Sequence, residues 1–329
     1  MPAASAGARS RKPSQTAAVL VLCALAVAVF GVTLDGFMTA GNLFALARNI
    51  SILGILALAM AIVVIGRGLD LSLVASMACA TALAIIMMNA GLPTPLALIV
   101  GLVVAVLVGL LNGFLVSVVE MPPLLTTLAS GLAVLGLTRS AAVQHMVVNL
   151  APGHDDFLRL GGNLPGGVPV PILVFAATAA IVHLFLSRTV LGRFIYAHGE
   201  NPDAARLTGL PTRPLTMLEY ALAAAVGFVG GTVMISQTAM MHLQVVDSTL
   251  IFDVIMVVVL GGVSLVGGRG NVMSVVAGTL LIGVLLNGMT ILDMDVQSQN
   301  IVKGVVLLFA IVLDAMLHPR DEETSKQGD

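Results

Sequence analysis

Long apolar stretches dominate the chain, and short polar or glycine- and proline-rich segments separate them. A transmembrane helix needs about 20 mostly apolar residues to cross the hydrocarbon layer. By that criterion the sequence predicts ten membrane-spanning helices, at residues 17–34, 50–66, 69–90, 96–119, 123–142, 168–187, 214–236, 249–266, 272–292 and 300–317. Glycine and proline interrupt several of these stretches, so we expect some spans to be broken or re-entrant.

The pattern predicts an all-α integral membrane protein with one transmembrane domain, residues 17–318, and short polar tails at 1–16 and 319–329. We expect the C-terminal tail to be disordered, since it is polar throughout. A cleaved signal peptide is the competing interpretation of the first span. Its apolar run of about 18 residues exceeds the usual apolar core of such peptides, and no small-residue cleavage site ends it. We therefore prefer an uncleaved span.

Composition identifies the lipid bilayer as the main solvent of this chain. Of its 329 residues 58% are hydrophobic and only 10% are charged, and the mean hydropathy is +1.06. Soluble domains have about 25% charged residues. The net charge of −2 gives no electrostatic reason to expect a nucleic-acid partner. Cys23 and Cys79 lie in apolar spans, where we interpret them as small hydrophobic side chains rather than a disulfide or a metal site.

The distribution of Lys and Arg predicts the orientation. With a cytoplasmic N-terminus, the inside segments contain eleven of the 15 basic residues, and the outside segments or outer span ends contain four. Cytoplasmic loops are enriched in Lys and Arg. Both termini and the loop 188–213 are therefore predicted to be cytoplasmic, and the loop 143–167 is predicted to lie outside.

A short repeat indicates two related halves. Leu110-Leu111-Asn112-Gly113 near the end of the fourth span matches Leu285-Leu286-Asn287-Gly288 in the ninth. Ten spans divided five and five would place these segments at equivalent positions in halves of opposite orientation, an arrangement that is common in transporters. Coincidence in a leucine-rich chain is the alternative explanation.

Catalytic motifs are missing from the sequence. The glycine-rich segment 261–270 lacks the lysine of a phosphate-binding loop, so we predict a tight cytoplasmic turn there. The six histidines show no metal-binding spacing, and His154-Asp155-Asp156 is interpreted as part of a solvated outside loop. No G-x-S-x-G motif occurs. We therefore expect neither an enzyme, a catalytic residue, a cofactor nor a metal, and no energy source within this chain.

Ionisable residues in or near spans are costly in lipid and are often functional. For Asp70 we consider an ion pair with Arg67 and capping of the third span, or a role in gating. Asp253 and Glu219 are interpreted as first-turn carboxylates of their helices. A proton relay would need a buried basic partner, and none occurs at helical spacing from Asp253.

Neutral polar residues within the spans suggest a wetted translocation path for a hydroxyl-rich solute. Pro122-Pro123 also breaks the helix geometry next to two of them, and irregular backbone at membrane depth is tolerated where it lines a cavity. The alternative is that these side chains hold helices together by hydrogen bonds. The predicted path residues are Asp70, Ser72, Asn112, Thr126, Thr127 and Asn287.

Several motifs, taken in order, resemble the permease subunits of bacterial ATP-binding-cassette importers for ribose, xylose and galactosides. The resemblance extends from about residue 37 to 317. It rests on Phe37-Met38-Thr39 with Asn42-Leu43, Gly68-Leu69-Asp70-Leu71-Ser72, Leu111-Asn112-Gly113, Pro122-Pro123 with Thr127-Leu128, the polar segment Gly199–Gly209, the glycine-rich segment Gly261–Gly270, and Val302-Lys303-Gly304 with Asp314.

The resemblance implies four partners: a cytoplasmic ATP-binding subunit, a periplasmic sugar-binding protein, a second permease subunit and the inner-membrane bilayer. It also implies that 200–209 forms a helix that docks on the ATPase. The residues agree, because a proline stands early in this segment and a glycine ends it. The ATPase-coupling residues are predicted to be Glu200, Asn201, Asp203, Ala204, Ala205, Arg206 and Gly209.

The chain also departs from the family pattern. Arg67 stands where the family usually has a second glycine, Leu73-Val74-Ala75 replaces a V-G-S sequence, and Thr208 replaces a serine. Tryptophan is absent and phenylalanine is scarce, so specificity is expected to lie on the binding protein. The function predicted is ATP-driven import of a monosaccharide or related polyol-like solute by alternating access. An ion-coupled secondary transporter using Asp70 or Asp253, and a membrane scaffold, are the alternatives.

Overall fold

The computed structural model describes residues 15–141 and 146–317, and their backbone is mainly helical. The helices are α1 Gln15–Thr33, α2 Ala40–Ile65, α3 Leu73–Asn89, α4 Thr94–Ser117, α5 Pro123–Ala141, α6 Asp155–Leu158, α7 Val170–Arg188, α8 Val190–Glu200, α9 Pro202–Leu207, α10 Thr212–Thr238, α11 Leu250–Leu260, α12 Val272–Ile291 and α13 Val296–Leu317. Short 3₁₀ turns occupy Arg159–Gly161 and Leu243–Asp247. Most of both predicted tails lies outside the described residues.

Each of the ten predicted apolar segments overlaps one helix in the described part of the chain. Six of them (α1, α2, α4, α7, α10 and α12) are long and apolar enough to cross a membrane, and α3, α11 and residues 296–312 are shorter apolar helices. An all-α membrane protein is thereby confirmed, whereas the count of ten spans and the inverted repeat stay predictions.

Three predicted boundaries are wrong, for local reasons. α2 begins ten residues early, at Ala40, because the Thr39 hydroxyl caps it by accepting a hydrogen bond from the Asn42 N–H. α3 begins at Leu73 rather than at 69, because the preceding residues form an irregular loop. α11 ends at Leu260 rather than at 266, where the glycine-rich segment turns.

The core forms around α2, which packs against α10, α12, α7 and α11. Between Leu53 and Ile65 every residue of α2 is buried. α10 also lies along α4, whose buried positions Ala97, Gly101, Ala105, Gly109 and Gly113 recur every four residues. Small residues at this spacing let two helix backbones approach closely in a membrane. The opposite face of α4 exposes leucines and valines, as expected for a surface in contact with lipid.

The sequence did not predict the two-stranded antiparallel ribbon of the described structure. β1, Val147–Asn149, pairs with β2, Met240–His242, in the register Val148 opposite Met241. β1 belongs to the connection after α5, and β2 directly follows α10. The ribbon therefore joins two distant connections at one end of the helical bundle.

Candidate functional site

The polar segment predicted from the sequence contains a short capped helix, α9. The Asn201 carboxamide oxygen accepts hydrogen bonds from the N–H groups of Asp203 (3.1 Å) and Ala204 (2.9 Å), and Pro202 is the first helical residue. At the other end Gly209 has φ = +81°, the left-handed conformation that stops a helix at low cost. Caps at both ends define this one-turn element without a hydrophobic core of its own.

The exposed and buried faces of α9 separate the predicted coupling residues. Ala205 is buried against the rest of the chain, so it is a packing contact. Glu200, Asn201, Asp203, Ala204, Arg206 and Gly209 are all exposed. Leu207, which the sequence analysis missed, is 89% exposed and is the apolar tip of this surface. An apolar residue within the main polar insertion was the signal that could have revealed it.

The base of α9 sits on a junction of three backbone segments. The Gly268 N–H donates to the Ile65 carbonyl oxygen at 2.8 Å, and a side chain at Gly199 would collide with that same oxygen and with the Gly268 nitrogen. The Tyr196 hydroxyl donates to the Gly270 carbonyl at 2.8 Å. The end of α2, the end of α8 and the glycine-rich turn 261–270 thus meet with no side chain between them. The turn predicted for 261–270 is confirmed.

Four of the predicted path residues lie in one buried polar cluster. Asp70 Oδ1 accepts hydrogen bonds from the Ser72 N–H (2.9 Å) and hydroxyl (2.6 Å). Asn112 Nδ2 donates to Ser72 Oγ at 2.8 Å, which joins α4 to the start of α3. Thr127 Oγ1 accepts from the Leu71 N–H at 3.0 Å, so α5 contacts the same loop. All four side chains are at most 1% exposed.

The other two predicted path residues form their side-chain hydrogen bonds with residues outside this cluster. Thr126 is buried, but its hydroxyl donates to the Pro122 carbonyl at 2.9 Å within its own helix turn. Asn287 exchanges side-chain hydrogen bonds with Asn42, at 2.9 and 3.0 Å, and so joins α12 to α2. The hydrogen bonds therefore bring together Asp70, Ser72, Asn112 and Thr127 and leave Thr126 and Asn287 outside.

The expected Arg67–Asp70 ion pair is wrong for the described residues. Asp70 instead orders the loop before α3, whereas Arg67 has φ = +70° and an exposed side chain with no carboxylate within 4.0 Å in the part of the chain described. Arg67 instead lines a cavity beside α9, whereas Asp70 does not. The other half of that interpretation, capping of α3 by Asp70, is also wrong: Asp70 bonds to Ser72, the residue before the first helical residue, and α3 has no side-chain capping bond.

Asp253 and Glu219 differ from what the sequence suggested. Asp253 does lie in the first turn of α11, and it pairs with Lys303 of α13 at 2.9 Å, a basic partner that spacing along the chain could not reveal. Glu219 is not in a first turn but two turns into α10. It is fully buried over Gly66, and neither carboxyl oxygen has a hydrogen-bond partner among the described residues.

No group of three metal-binding side chains occurs within residues 15–141 and 146–317. In the predicted outside loop, Asp156 forms an exposed ion pair with Arg159 at 3.2 Å, and His154 Nδ1 lies 3.0 Å from the Thr94 hydroxyl. These contacts agree with the interpretation of this loop as a solvated surface.

The described residues thus form a multi-helix apolar domain with a buried polar cluster around Asp70 and a short, exposed polar helix, α9. The chain belongs to the family described as the permease component of branched-chain amino acid transport systems, whose model matches residues 42–311. Members of this family are membrane subunits and not enzymes.

Relatives named for sugar import match along most of the chain. The ribose import permease protein RbsC of Bacillus subtilis is 31% identical over 88% of this chain and 89% of its own length. The fructose import permease protein FrcC of Rhizobium meliloti is 29% identical over 92% and 85%. The xylose transport system permease protein XylH of Haemophilus influenzae is 30% identical over 90% and 95%. The resemblance to sugar-importer permeases is thereby confirmed.

Proposed function

We propose that this chain is the pore-forming subunit of an ATP-driven importer that carries a monosaccharide or related polyol-like solute across the inner membrane. The observation that carries the proposal is the similarity, along about nine-tenths of the chain, to permeases named for ribose, fructose and xylose. The family description names branched-chain amino acids.

The proposed topology has ten spans, two halves of five with opposite orientation, and both termini in the cytoplasm. Asn112 and Asn287, the equivalent residues of the two halves, both hold helices together by side-chain hydrogen bonds. Single cysteines placed at 204 and at 164, in a variant whose Cys23 and Cys79 are replaced by alanine, test this. We expect an impermeant thiol reagent to label position 164 from outside and position 204 only after the membrane is opened. Labelling of 204 from outside would contradict the coupling assignment.

In the proposed mechanism, α9 docks on the ATP-binding subunit, with Leu207 inserted into it and Asp203 at the rim. ATP binding and hydrolysis favour different states of the pore, and the junction of Gly199, Ile65 and Gly268 transmits the movement of α9 to α2. A ligand shifts a conformational equilibrium only through its different affinity for the two states. A periplasmic sugar-binding protein delivers the solute to a pore formed with a second permease subunit.

The coupling experiment compares Leu207→Asp and Asp203→Lys with Leu160→Asp. Leu160 is 41% exposed in the outside loop and serves as the matched control. We expect both α9 variants to lose solute uptake and transport-stimulated ATP hydrolysis, with the amount of folded protein unchanged, while Leu160→Asp keeps both. Ala205 is unsuitable for this experiment because it is buried. Normal uptake in both α9 variants would reject the docking surface.

The path experiment replaces hydroxyl groups of equal burial. Ser72→Ala removes a hydroxyl that joins Asp70 to Asn112, whereas Ser51→Ala removes one that only bonds back to the Ala47 carbonyl. We expect uptake to fall in the first variant and to persist in the second. A scaffold without transport would leave both silent, as would a path elsewhere in the chain.

An ion-coupled transporter is distinguished by its source of energy. In cells with ATP kept high, a protonophore should leave uptake intact, and deletion of the partner ATP-binding subunit should abolish it. The reverse result would show that an ion gradient drives uptake. The buried Asp253–Lys303 pair would then be the first candidate for binding the coupled proton.

A further inference from the structure

A cavity of about 320 Å³ lies between the C-terminal end of α2, the ends of α4 and α8, and the helices α9 and α10. Its wall carries the side chains of Arg67, Arg206 and Arg213, together with a single carboxylate, Glu120. Arg213 pairs with Glu120 at 3.1 Å. Arg67 and Arg206 have no carboxylate within 4.0 Å among the described residues. Two of the three arginines of this wall therefore have no ion-pair partner in the part of the chain described.

One further polar atom of this wall, a ring nitrogen of His198, has no hydrogen-bond partner among the described residues. His198 is nine-tenths buried, and the atom without a partner is Nδ1. Its Nε2 atom lies 3.4 Å from the Thr216 hydroxyl, which faces the same cavity. Burial, then the positive charges of Arg206 and Arg67, hold the pKa of His198 below its usual value.

We propose that this cavity binds a phosphate group, carried either by a soluble phosphate monoester or by a lipid headgroup. A phosphate monoester, which carries about −1.5 to −2 charges, would pair with both arginines, whereas a lipid phosphodiester would bring a single negative charge. Guanidinium groups bind phosphate oxygens through paired, charge-assisted hydrogen bonds. The threonine hydroxyl and the imidazole offer further hydrogen-bonding groups. The volume is at the lower end of the range for small-molecule pockets, about 300–1,000 Å³, so the phosphate has room for a small attached group.

The position of the cavity gives the bound phosphate a regulatory consequence. Arg206 lies on α9, and Arg67 lies beside Gly267 of the junction that supports α9. A phosphate that bridges these two arginines would tie α9 to the end of α2. Occupancy would then set how freely α9 moves against the pore.

The test uses the purified full-length chain and needs no transport. Binding of inorganic phosphate and of ribose 5-phosphate is measured by calorimetry in detergent, with ribose as the uncharged control ligand. We expect saturable binding of both phosphates, no binding of ribose, and an affinity about tenfold lower or worse in Arg67→Gln and in Arg206→Gln, because each removes a charge-assisted contact. Arg193→Gln, an exposed arginine of α8 outside the cavity, should bind as the native chain does.

Nanodiscs separate the two sources of the phosphate. Binding of soluble phosphate is compared in phosphatidylcholine discs with and without phosphatidylglycerol. Equal binding in both kinds of disc identifies a soluble monoester as the ligand. Binding that is lost in the discs with phosphatidylglycerol identifies the lipid headgroup, which then occupies the cavity. Absence of saturable binding in detergent and in both discs, or equal loss in all three arginine variants, overturns the proposal. The proposal is also overturned if the chain does not bind phosphate but no longer binds its ATP-binding subunit when Arg67 or Arg206 is replaced. The arginines would then bind carboxylates of that subunit.

Discussion

Gly199 lies directly against the carbonyl oxygen of Ile65, with no room for a side chain between the two backbones. The same oxygen accepts a hydrogen bond from Gly268 at 2.8 Å, so any displacement there disturbs two contacts. The contact places the polar segment that carries α9 directly on the buried C-terminal end of α2.

Gly199→Ala should therefore separate α8 from α2. Overpacking of a tight contact costs about 1–3 kcal/mol, and here the obstacle is backbone that cannot rotate away. We expect lower thermal stability and a larger loss of uptake than stability alone explains. Gly136→Ala is the control, since Gly136 lies in α5 with open space around it. Equal behaviour of the two variants would show that the junction tolerates movement.

The pair of Asp253 and Lys303 should be strongly coupled. Both side chains are largely buried, at 9% and 16% exposure, and their atoms are 2.9 Å apart. Removing one partner of a buried pair costs about 3–5 kcal/mol, because the other charge is left without compensation. We expect Asp253→Leu and Lys303→Met each to destabilise the protein in denaturation experiments, and the double variant to be more stable than either. Additive losses would show that the pair does not act as a unit.

The contribution of Asp70 to stability should depend more on its hydrogen-bond acceptor oxygen than on its negative charge. Asp70→Asn keeps an oxygen for the Ser72 N–H and hydroxyl, whereas Asp70→Ala leaves both donors unpaired. A buried donor left without a partner costs about 1–3 kcal/mol. We expect the alanine variant to lose stability and uptake, and the asparagine variant to keep most of its stability. Uptake of the asparagine variant then reports whether the path requires the charge.

His198 should make stability fall in mild acid. Its pKa is lowered in the folded state by burial and by Arg206 and Arg67, so the unfolded chain binds the proton more readily. The stabilisation is present above the unfolded pKa of about 6.5 and is lost as the pH falls below it. Melting temperatures between pH 5 and 8 should decline less towards acid in His198→Gln than in the native chain or in His183→Gln, an exposed control. If the melting temperatures of His198→Gln and the native chain change with pH in the same way, His198 does not cause the loss of stability in acid.

The parts of the site that depend on neighbours in sequence could be predicted. Asn201-Pro202 starts α9 and Gly209 ends it through contacts that span three residues or fewer, so composition and spacing were sufficient. The hydrophobic pattern also located the apolar helices, because the ability of a helix to cross the lipid layer depends on the length of one continuous apolar stretch.

The parts that depend on distant residues could not be predicted. Lys303 is 50 positions from Asp253, and Asn112 is 40 from Ser72, so only packing of the helices brings them together. The Arg67–Asp70 pair failed for the opposite reason. Proximity along the chain suggested it, but Arg67 lines a cavity beside α9, whereas Asp70 does not.

The β1–β2 ribbon has a mechanical consequence. It fixes the connection that follows α5 to the end of α10 by backbone hydrogen bonds. The paired residues Val148 and Met241 are both buried. A bundle clamped at one rim can open only by splaying at the other. In the proposed mechanism, the rim that is free to widen is then the one that carries α9, where the ATP-binding subunit would act on it.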